Sequence, residues 1–309
     1  MTGEGSKDPP FEKVAVIGLG LIGSSIARGV REAMPATWLQ GYDSNPDVRA
    51  QASRLGLVDL LPDDPAEAAA GADLVILCVP VGAMADAARA VAPALGDGAI
   101  VSDVGSCKAP VAAALKEVLP RAVIIPAHPI AGTENSGPEA GFAALFRNRW
   151  CILTPEPQTD PSDVDRLAAF WTALGARVEV MGAERHDLVL AVTSHLPHLI
   201  AYTIVGTASH LEAVTEGEVI KYSAGGFRDF TRIAASNPTM WRDIFLSNRE
   251  AVLDVLGRFL GDLQQLEGAI RGGDGDMLFD WFSRTRAIRR AIVYEGQDVA
   301  APDFGRVAG

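Results

Sequence analysis

The run Val14–Gly23, VAVIGLGLIG, decides how the whole chain reads. Four small β-formers empty directly into G-x-G-x-x-G at Gly18, Gly20 and Gly23. In a strand–turn–helix unit each glycine has its own task. The first permits the tight turn, the second lets backbone approach a pyrophosphate, and the third lets the helix pack close to the strand. The helix that follows begins with Leu21 and Ile22, and its first N–H groups, lacking partners inside the helix, suit an anion. Twenty residues after Gly23, Asp43 closes WLQGYD. A carboxylate there accepts the adenosine ribose hydroxyls and repels the extra phosphate of NADP, and Ser44, Asn45 and Pro46 bring no cation to hold that phosphate. The combination predicts an NAD site made of Gly18, Gly20, Leu21, Ile22, Gly23 and Asp43, with Pro80, at the end of DLVILCVP, bordering the nicotinamide ribose. A plainer use of Asp43 is to nucleate the turn in DSNP.

Outward from that run, β-branched segments alternate with Ala-rich helical ones: WLQGYD, DLVILCVP, AIVSDVG and AVIIPAHP each precede or follow a helix. This order predicts βαβ units, a parallel sheet with helices on both faces, and WCILTP and ARVEVMG as further strands extending it. From about Gly182 the strand signal ends and helical periodicity takes over. The expected organisation is a flexible tail over 1–12, an α/β Rossmann-type dinucleotide-binding domain over 13–182, and an all-α substrate and dimerisation domain over 183–309. Asn237-Pro238 fits an N-cap and first helical position. After it, Trp241, Ile244, Phe245, Val252, Val255, Leu256, Phe259, Leu263, Leu266 and Ile270 recur at three- and four-residue steps. A helix over that span is about 48 Å long at 1.5 Å per residue, too long for one small domain to cover, so its stripe predicts a homodimer; the plainer alternative is a kinked helix in the chain's own core.

Composition narrows the classes. The 309 residues suffice for two domains with their own cores. Acidic residues outnumber basic ones 39 to 27, for a net charge of −12, and that field disfavours nucleic acid and anionic lipid as partners. An anionic substrate therefore needs a local cluster of basic groups. Cys78, Cys107 and Cys151 show neither C-x-x-C spacing nor histidines at metal-ligand intervals, which predicts no metal and a reducing cytoplasm. The opening residues lack an apolar core behind basic ones and do not read as a signal peptide. Leu188–Ala208 is the one apolar run of membrane length, but Ser194, His195, Pro197 and His198 fall at its middle, so it reads as a buried helix carrying a polar site and not as a membrane span.

Four further stretches carry polar groups where chemistry is done. SDVGSCK (102–108) and HPIAGTE (128–134) follow strands, where open α/β sheets bind ligands; either is equally an ordinary strand-to-helix turn. In HDLVLAVTSHLPH, Ser194 and His198 lie four apart, and Pro197 removes the N–H that would bond the Thr193 carbonyl, so a bend is expected. In GGFRDFTRIAASNPTMWRDIF, Arg228 and Arg232 are also four apart, suited to carboxylates or to ion pairs with Asp229 and Asp243.

Together, VIGLGLIGSS, SDVGSCK, HPIAGTENSG, HDLVLAVTSHLPHLIAY and GGFRDFTRIAASNPTMWRDIF resemble the prephenate/arogenate (cyclohexadienyl) dehydrogenases of tyrosine biosynthesis, from Lys13 to about Ile270. The resemblance implies a Rossmann domain followed by a helical domain that intertwines with its copy. It also implies NAD-linked oxidative decarboxylation of prephenate to 4-hydroxyphenylpyruvate, or of arogenate to tyrosine. Carried over, the catalytic histidine falls on His128 and its serine partner on Ser106; Ser194, His198 and Arg232 fall on the substrate site, and Glu134 on its mouth. Arg228 stands where many members have Lys. Neither a regulatory module nor a fused chorismate mutase is expected, and feedback inhibition by tyrosine remains open. A β-hydroxyacid dehydrogenase would need a lysine that the site helix does not offer, and an NAD-sensing protein without chemistry would have no need of His128, Ser106, His198 and Arg232 together.

Overall fold

A computed structural model describes residues 9–133, 135–212 and 225–294; Glu134 and residues 1–8 of the expected tail lie outside the described residues. Five strands form one parallel sheet: β1 (Lys13–Ile17), β2 (Trp38–Tyr42), β3 (Leu74–Leu77), β4 (Ile100–Asp103) and β5 (Val123–Ile124), in the order β2-β1-β3-β4-β5. Chain order reverses between β1 and β3, and the crevice at the carboxyl ends there is where such sheets bind ligands. Val14 and Val16 of β1 enter one apolar cluster while Ala15 and Ile17 enter a second on the opposite face, as the two-residue side-chain period of a strand requires. Helices α1 (Leu21–Ala33), α2 (Pro46–Arg54), α3 (Pro65–Ala69), α4 (Met84–Val91), α5 (Ala109–Val118) and α6 (Pro161–Ala173) cover this half, followed by α7 (Ala183–Leu190) and α8 (Leu196–Glu212).

Three expectations are corrected. AVIIPAHP is not one strand. Ile125 N still donates to Val101 O at 3.0 Å, but Pro126 has no N–H to continue that ladder. The chain then crosses to a separate three-stranded sheet of β6 (Ala127–Pro129), β7 (Trp150–Leu153) and β8 (Arg177–Val180), in which β6 runs antiparallel to β7 and β8 parallel to it. WCIL and RVEV therefore build this second sheet and do not extend the first. Phe11, inside the expected tail, is instead part of the core: it is 1% exposed, packs edge-on to Phe170 and accepts from Thr37 Oγ1 through its carbonyl, because a phenyl ring gains more from the core than from water. Finally, the long helix after Pro238 is broken. Helices Pro238–Ser247 and Arg249–Gly272 flank Asn248, whose buried amide is occupied elsewhere.

Ala191–His195 winds as a π-helical turn between α7 and α8, and the missing Pro197 N–H accounts for such a break in the ladder. Ala183–His210 is long and apolar enough to cross a bilayer, with 28% of its apolar window buried within the chain. The chain separates into two compact units. One comprises Met1–His195 with Ala235–Ala251, the other Leu196–Ala234 with Val252–Gly309. In the second, the helices Arg249–Gly272 and Gly275–Tyr294 leave Leu253, Leu260, Leu263, Ile270, Phe279, Phe282 and Ile288 exposed.

Candidate active site

The glycine turn is built as its spacing requires. Gly18 has φ +101°, and a Cβ there would lie 2.4 Å from Cys78 O; a Cβ on Gly23 would lie 1.9 Å from Gly18 O. Side chains are thus excluded at both by the protein's own backbone. Around Gly20 nothing lies within 4 Å of a Cβ position, so that glycine leaves space at the start of α1. No side chain caps α1 and its first turn holds no acidic residue. Open space, an uncapped helix start and backbone N–H groups together fit a pyrophosphate.

Asp43 nucleates the turn, the plainer of the two uses read from the sequence, and braces the glycine loop as well. Its Oδ2 accepts Leu19 N–H at 2.8 Å, pinning the glycine turn, and its Oδ1 accepts Asn45 N–H at 2.9 Å inside DSNP. A carboxylate has about four acceptor directions, so ribose hydroxyls still find room. Arg49, which the sequence argument missed, reaches this corner, donating to Asp43 O at 2.7 Å and Ser44 O at 3.3 Å while pairing with Asp63 at 2.9 Å. The signal was present: Asn45 caps α2 and Pro46 starts it, which places the fourth helical residue over the helix's own entry. Pro80 is exposed and precedes a short 3₁₀ turn, Val81–Ala83, whose Gly82 lies against the Asp243 carboxylate.

The β6 strand delivers His128 into a chain of buried polar groups. Its Nδ1 stands 2.9 Å from His186 Nε2, with the rings edge to face. His186 Nδ1 is 2.8 Å from Asp187 Oδ1. The Asp187 oxygens accept the backbone N–H groups of Lys108 at 2.7 Å and Ala109 at 2.9 Å, at the start of α5. Asn248 donates to Asp187 O at 2.8 Å and meets His195 Nδ1 at 3.1 Å. Beneath them lies a fully buried ion pair between Lys108 Nζ and Asp103 Oδ2, and Lys108 Nζ also holds Ala127 O at 2.7 Å, next to His128. Ser106 sits half-buried in the same loop. The sequence singled out His128 and Ser106 but took Asp103, Lys108, His186, Asp187 and Asn248 as turn, cap and helix residues.

Electrostatics set the protonation states. Burial, reinforced by His186, Lys108 and His195, pushes the His128 imidazole well below its usual range, so it is neutral at pH 7 with a nitrogen lone pair. Burial raises the Asp103 carboxyl, against the pull of Lys108. Burial pushes the Cys107 thiol up to about 12 and raises Cys78 and Cys151 as well, so none of the three is a thiolate nucleophile.

In the helical region, Ser194 lies half-buried in the π-helical turn of the first unit. His198, Arg228 and Arg232 belong to the second unit; Arg228 lies on the helix Gly225–Thr231, and Arg232 opens the 3₁₀ turn Arg232–Ala235 that follows. Both arginines are exposed. Of their expected ion-pair partners, Asp243 pairs with Arg242 at 2.7 Å.

Comparison with known proteins places this arrangement. Residues 26–180 match the family model for the prephenate dehydrogenase nucleotide-binding domain, and 182–284 the model for its dimerization domain. The first match begins after the glycine turn, so that turn's reading stands on its own pattern and geometry. The chain is 47% identical to a cyclohexadienyl dehydrogenase of Zymomonas mobilis over 282 residues, covering 91% of this chain and 96% of that one. It is 33% identical to a prephenate dehydrogenase of Bacillus subtilis, over 95% of this chain and 79% of that one. Among solved structures, prephenate dehydrogenase from A. aeolicus in complex with hydroxyphenyl propionate and NAD+ superposes with a TM-score of 0.85 at 35% identity, covering 91% of this chain and 98% of that one.

Proposed function

The chain belongs to the prephenate dehydrogenase family, and from that we propose that it oxidatively decarboxylates prephenate to 4-hydroxyphenylpyruvate with NAD, in tyrosine biosynthesis, and accepts arogenate as the alternative substrate. The observation that carries the reading is His128: a buried, neutral imidazole whose Nδ1 is already engaged and whose Nε2 has no hydrogen bond among the described residues. NAD, when bound over Gly18, Gly20, Leu21, Ile22, Gly23, Asp43 and Pro80, supplies the hydride acceptor. His128 Nε2 takes the ring hydroxyl proton as hydride leaves the carbinol carbon. When the ring carboxylate departs as CO₂, its bonding electrons aromatise the ring, and the same proton returns to the phenolic oxygen. Prephenate dianion and NAD+ thus balance hydroxyphenylpyruvate anion, CO₂ and NADH with no net proton. Ser106 holds the hydroxyl. Arg232, with Arg228, Ser194 and His198, takes the carboxylates. Residues 13–182 serve as the nucleotide half and 183–309 as the substrate and dimer half.

Initial rates of NADH formation test this. Prephenate should give turnover, with NAD preferred over NADP, since Asp43 repels a 2′-phosphate and Arg49 is already committed to Asp63 and two carbonyls. Silence with both prephenate and arogenate would sink the proposal. Adding tyrosine to the same assay reads feedback inhibition. In Arg232→Ala the KM for prephenate should rise about 10- to 100-fold, as for a charge-assisted hydrogen bond of about 1.5–3 kcal/mol, while that for NAD stays put.

The exposed apolar residues on Arg249–Gly272 and Gly275–Tyr294, within the dimerization-domain match, support a homodimer, since a monomer rarely presents so many large apolar side chains to water. Light scattering should give twice the 32.5 kDa chain mass; a fully active monomer would refute it. The cytoplasm is the compartment we assign, and cell fractionation checks it.

A further inference from the structure

We propose that His186 and Asp187 are positioning residues that lock His128 in its Nδ1–H tautomer, so that Nε2 alone receives the substrate proton, and that they carry the resulting positive charge away from it. The inference rests on the reading of His128 as the base. Its starting point is Asp187. Its two oxygens face three N–H groups: the Lys108 and Ala109 amides and His186 Nδ1. Lys108, at the cap position of α5, makes no side-chain cap of its own, so Asp187 caps that helix from α7, where the helix dipole favours a negative group.

The proton positions then follow in sequence. A carboxylate only accepts, so His186 Nδ1 donates to it. In the proposed resting state His186 is a neutral imidazole with one N–H, so its Nε2 carries a lone pair. Facing it at 2.9 Å, His128 Nδ1 must donate, which leaves the His128 lone pair on Nε2. The other tautomer would oppose two lone pairs in a site from which water is nearly excluded, His128 being 8% exposed. Without such a partner, the Nε2–H form is the commoner one for histidine in water, and it has no lone pair to offer at that atom.

The groups that face His128 are His186 from α7, His195 from the π-helical turn and Lys108 from the loop after β4; Asp187 stands behind His186, and Asp103, at the end of β4, behind Lys108. Lys108 opposes a second positive charge there. A route for that charge exists in one direction: as Nε2 gains the hydroxyl proton, the Nδ1 proton shifts to His186 Nε2, and the imidazolium so formed lies against Asp187. One proton enters and one moves, and both steps reverse when the phenolic oxygen is reprotonated.

The test uses full-length enzyme with isotope-labelled histidine and no NAD, so the readout is independent of turnover. The chain has five histidines, and single variants assign the signals. In wild type, ¹⁵N spectra should show His128 protonated at Nδ1 with a bare Nε2. In His186→Phe that signal should move toward the Nε2–H form, and kcat should fall about 10- to 100-fold, the usual cost of losing the partner that orients a functional imidazole, with KM values for prephenate and NAD within about twofold. His186→Gln, whose side-chain oxygen can still accept from Nδ1, should restore the tautomer and recover part of kcat; it also covers the case in which the Phe variant folds poorly. A wild-type His128 bearing Nε2–H, or an unchanged tautomer in His186→Phe, overturns the proposal. A failure of the base reading shows separately, as undiminished turnover when His128 itself is replaced.

Discussion

Replacing His128 with Asn should lower kcat by about 10²–10⁴, the range for losing a positioned general base, and leave NAD affinity nearly unchanged. The Asn side chain can still meet His186 but offers nothing at the Nε2 position. The glycine turn and Asp43, which we propose hold NAD, lie on other strands, at the ends of β1 and β2, so binding and chemistry should separate cleanly. The wild-type pH profile adds a second check. Burial and its charged neighbours hold the His128 imidazole well below the usual range, so the acid limb of kcat/KM should lie below the ordinary imidazole pKa of about 6.5. Activity is present above the folded-state pKa and lost as pH falls through it. Stability has the same sign: a depressed imidazole contributes stability above about pH 6.5 that is lost as pH falls toward its folded-state pKa, and His128→Asn should lose less stability on acidification. Turnover near wild type in this variant would reduce His128 to a residue of the strand end.

The glycine turn and Asp43 could be read from letters alone because backbone sterics there admit few residue types: at Gly18 and Gly23 any side chain collides with main-chain oxygen. His128 and Ser106 were proposed through motif order, whose meaning comes from resemblance and not from spacing. The rest of the site was hidden because it is assembled over long range. His186 reaches His128 across 58 residues and Asp187 reaches Lys108 across 79. In sequence, His186-Asp187 looks like an ordinary helix start and Lys108 like part of a strand-to-helix turn. Pro126 and Asn248 misled in the same way. A proline in an apolar run or an asparagine in a long helical pattern has little local cost at an edge or a cap, and only the partners, Thr154 for the Pro126 carbonyl and Asp187 and His195 for the Asn248 amide, decide that the element ends there.

Lys108→Met should be the most destabilising single change at the site. Lys108 and Asp103 are both fully buried, and Asp103 Oδ1 already lacks a partner among the described residues. Removing the ammonium leaves a carboxylate in the interior with only backbone N–H donors, Gly105 at 2.7 Å and Ala127, and breaking a buried pair this way typically costs about 3–5 kcal/mol. At about 2–4 °C per kcal/mol for a unit of this size, Tm should fall by about 6–20 °C. The loss should depend on pH with a definite sign. Burial already raises the Asp103 carboxyl against the pull of Lys108, and without the lysine it rises further. The penalty is therefore largest above that raised value and shrinks as pH falls through it and the carboxyl becomes protonated. Adding Asp103→Asn should recover most of the stability, because a neutral buried pair leaves no uncompensated charge. Activity should not recover with it, since Lys108 also holds Ala127 O at 2.7 Å, and without that bond the strand segment bearing His128 loses its tie to the Ser106 loop. Thermal unfolding of the single and double variants at two pH values decides the matter: a Tm within about 2 °C of wild type for Lys108→Met would mean that water reaches the pair, and that the floor beneath His128 is not the dry ion pair on which its depressed pKa partly depends.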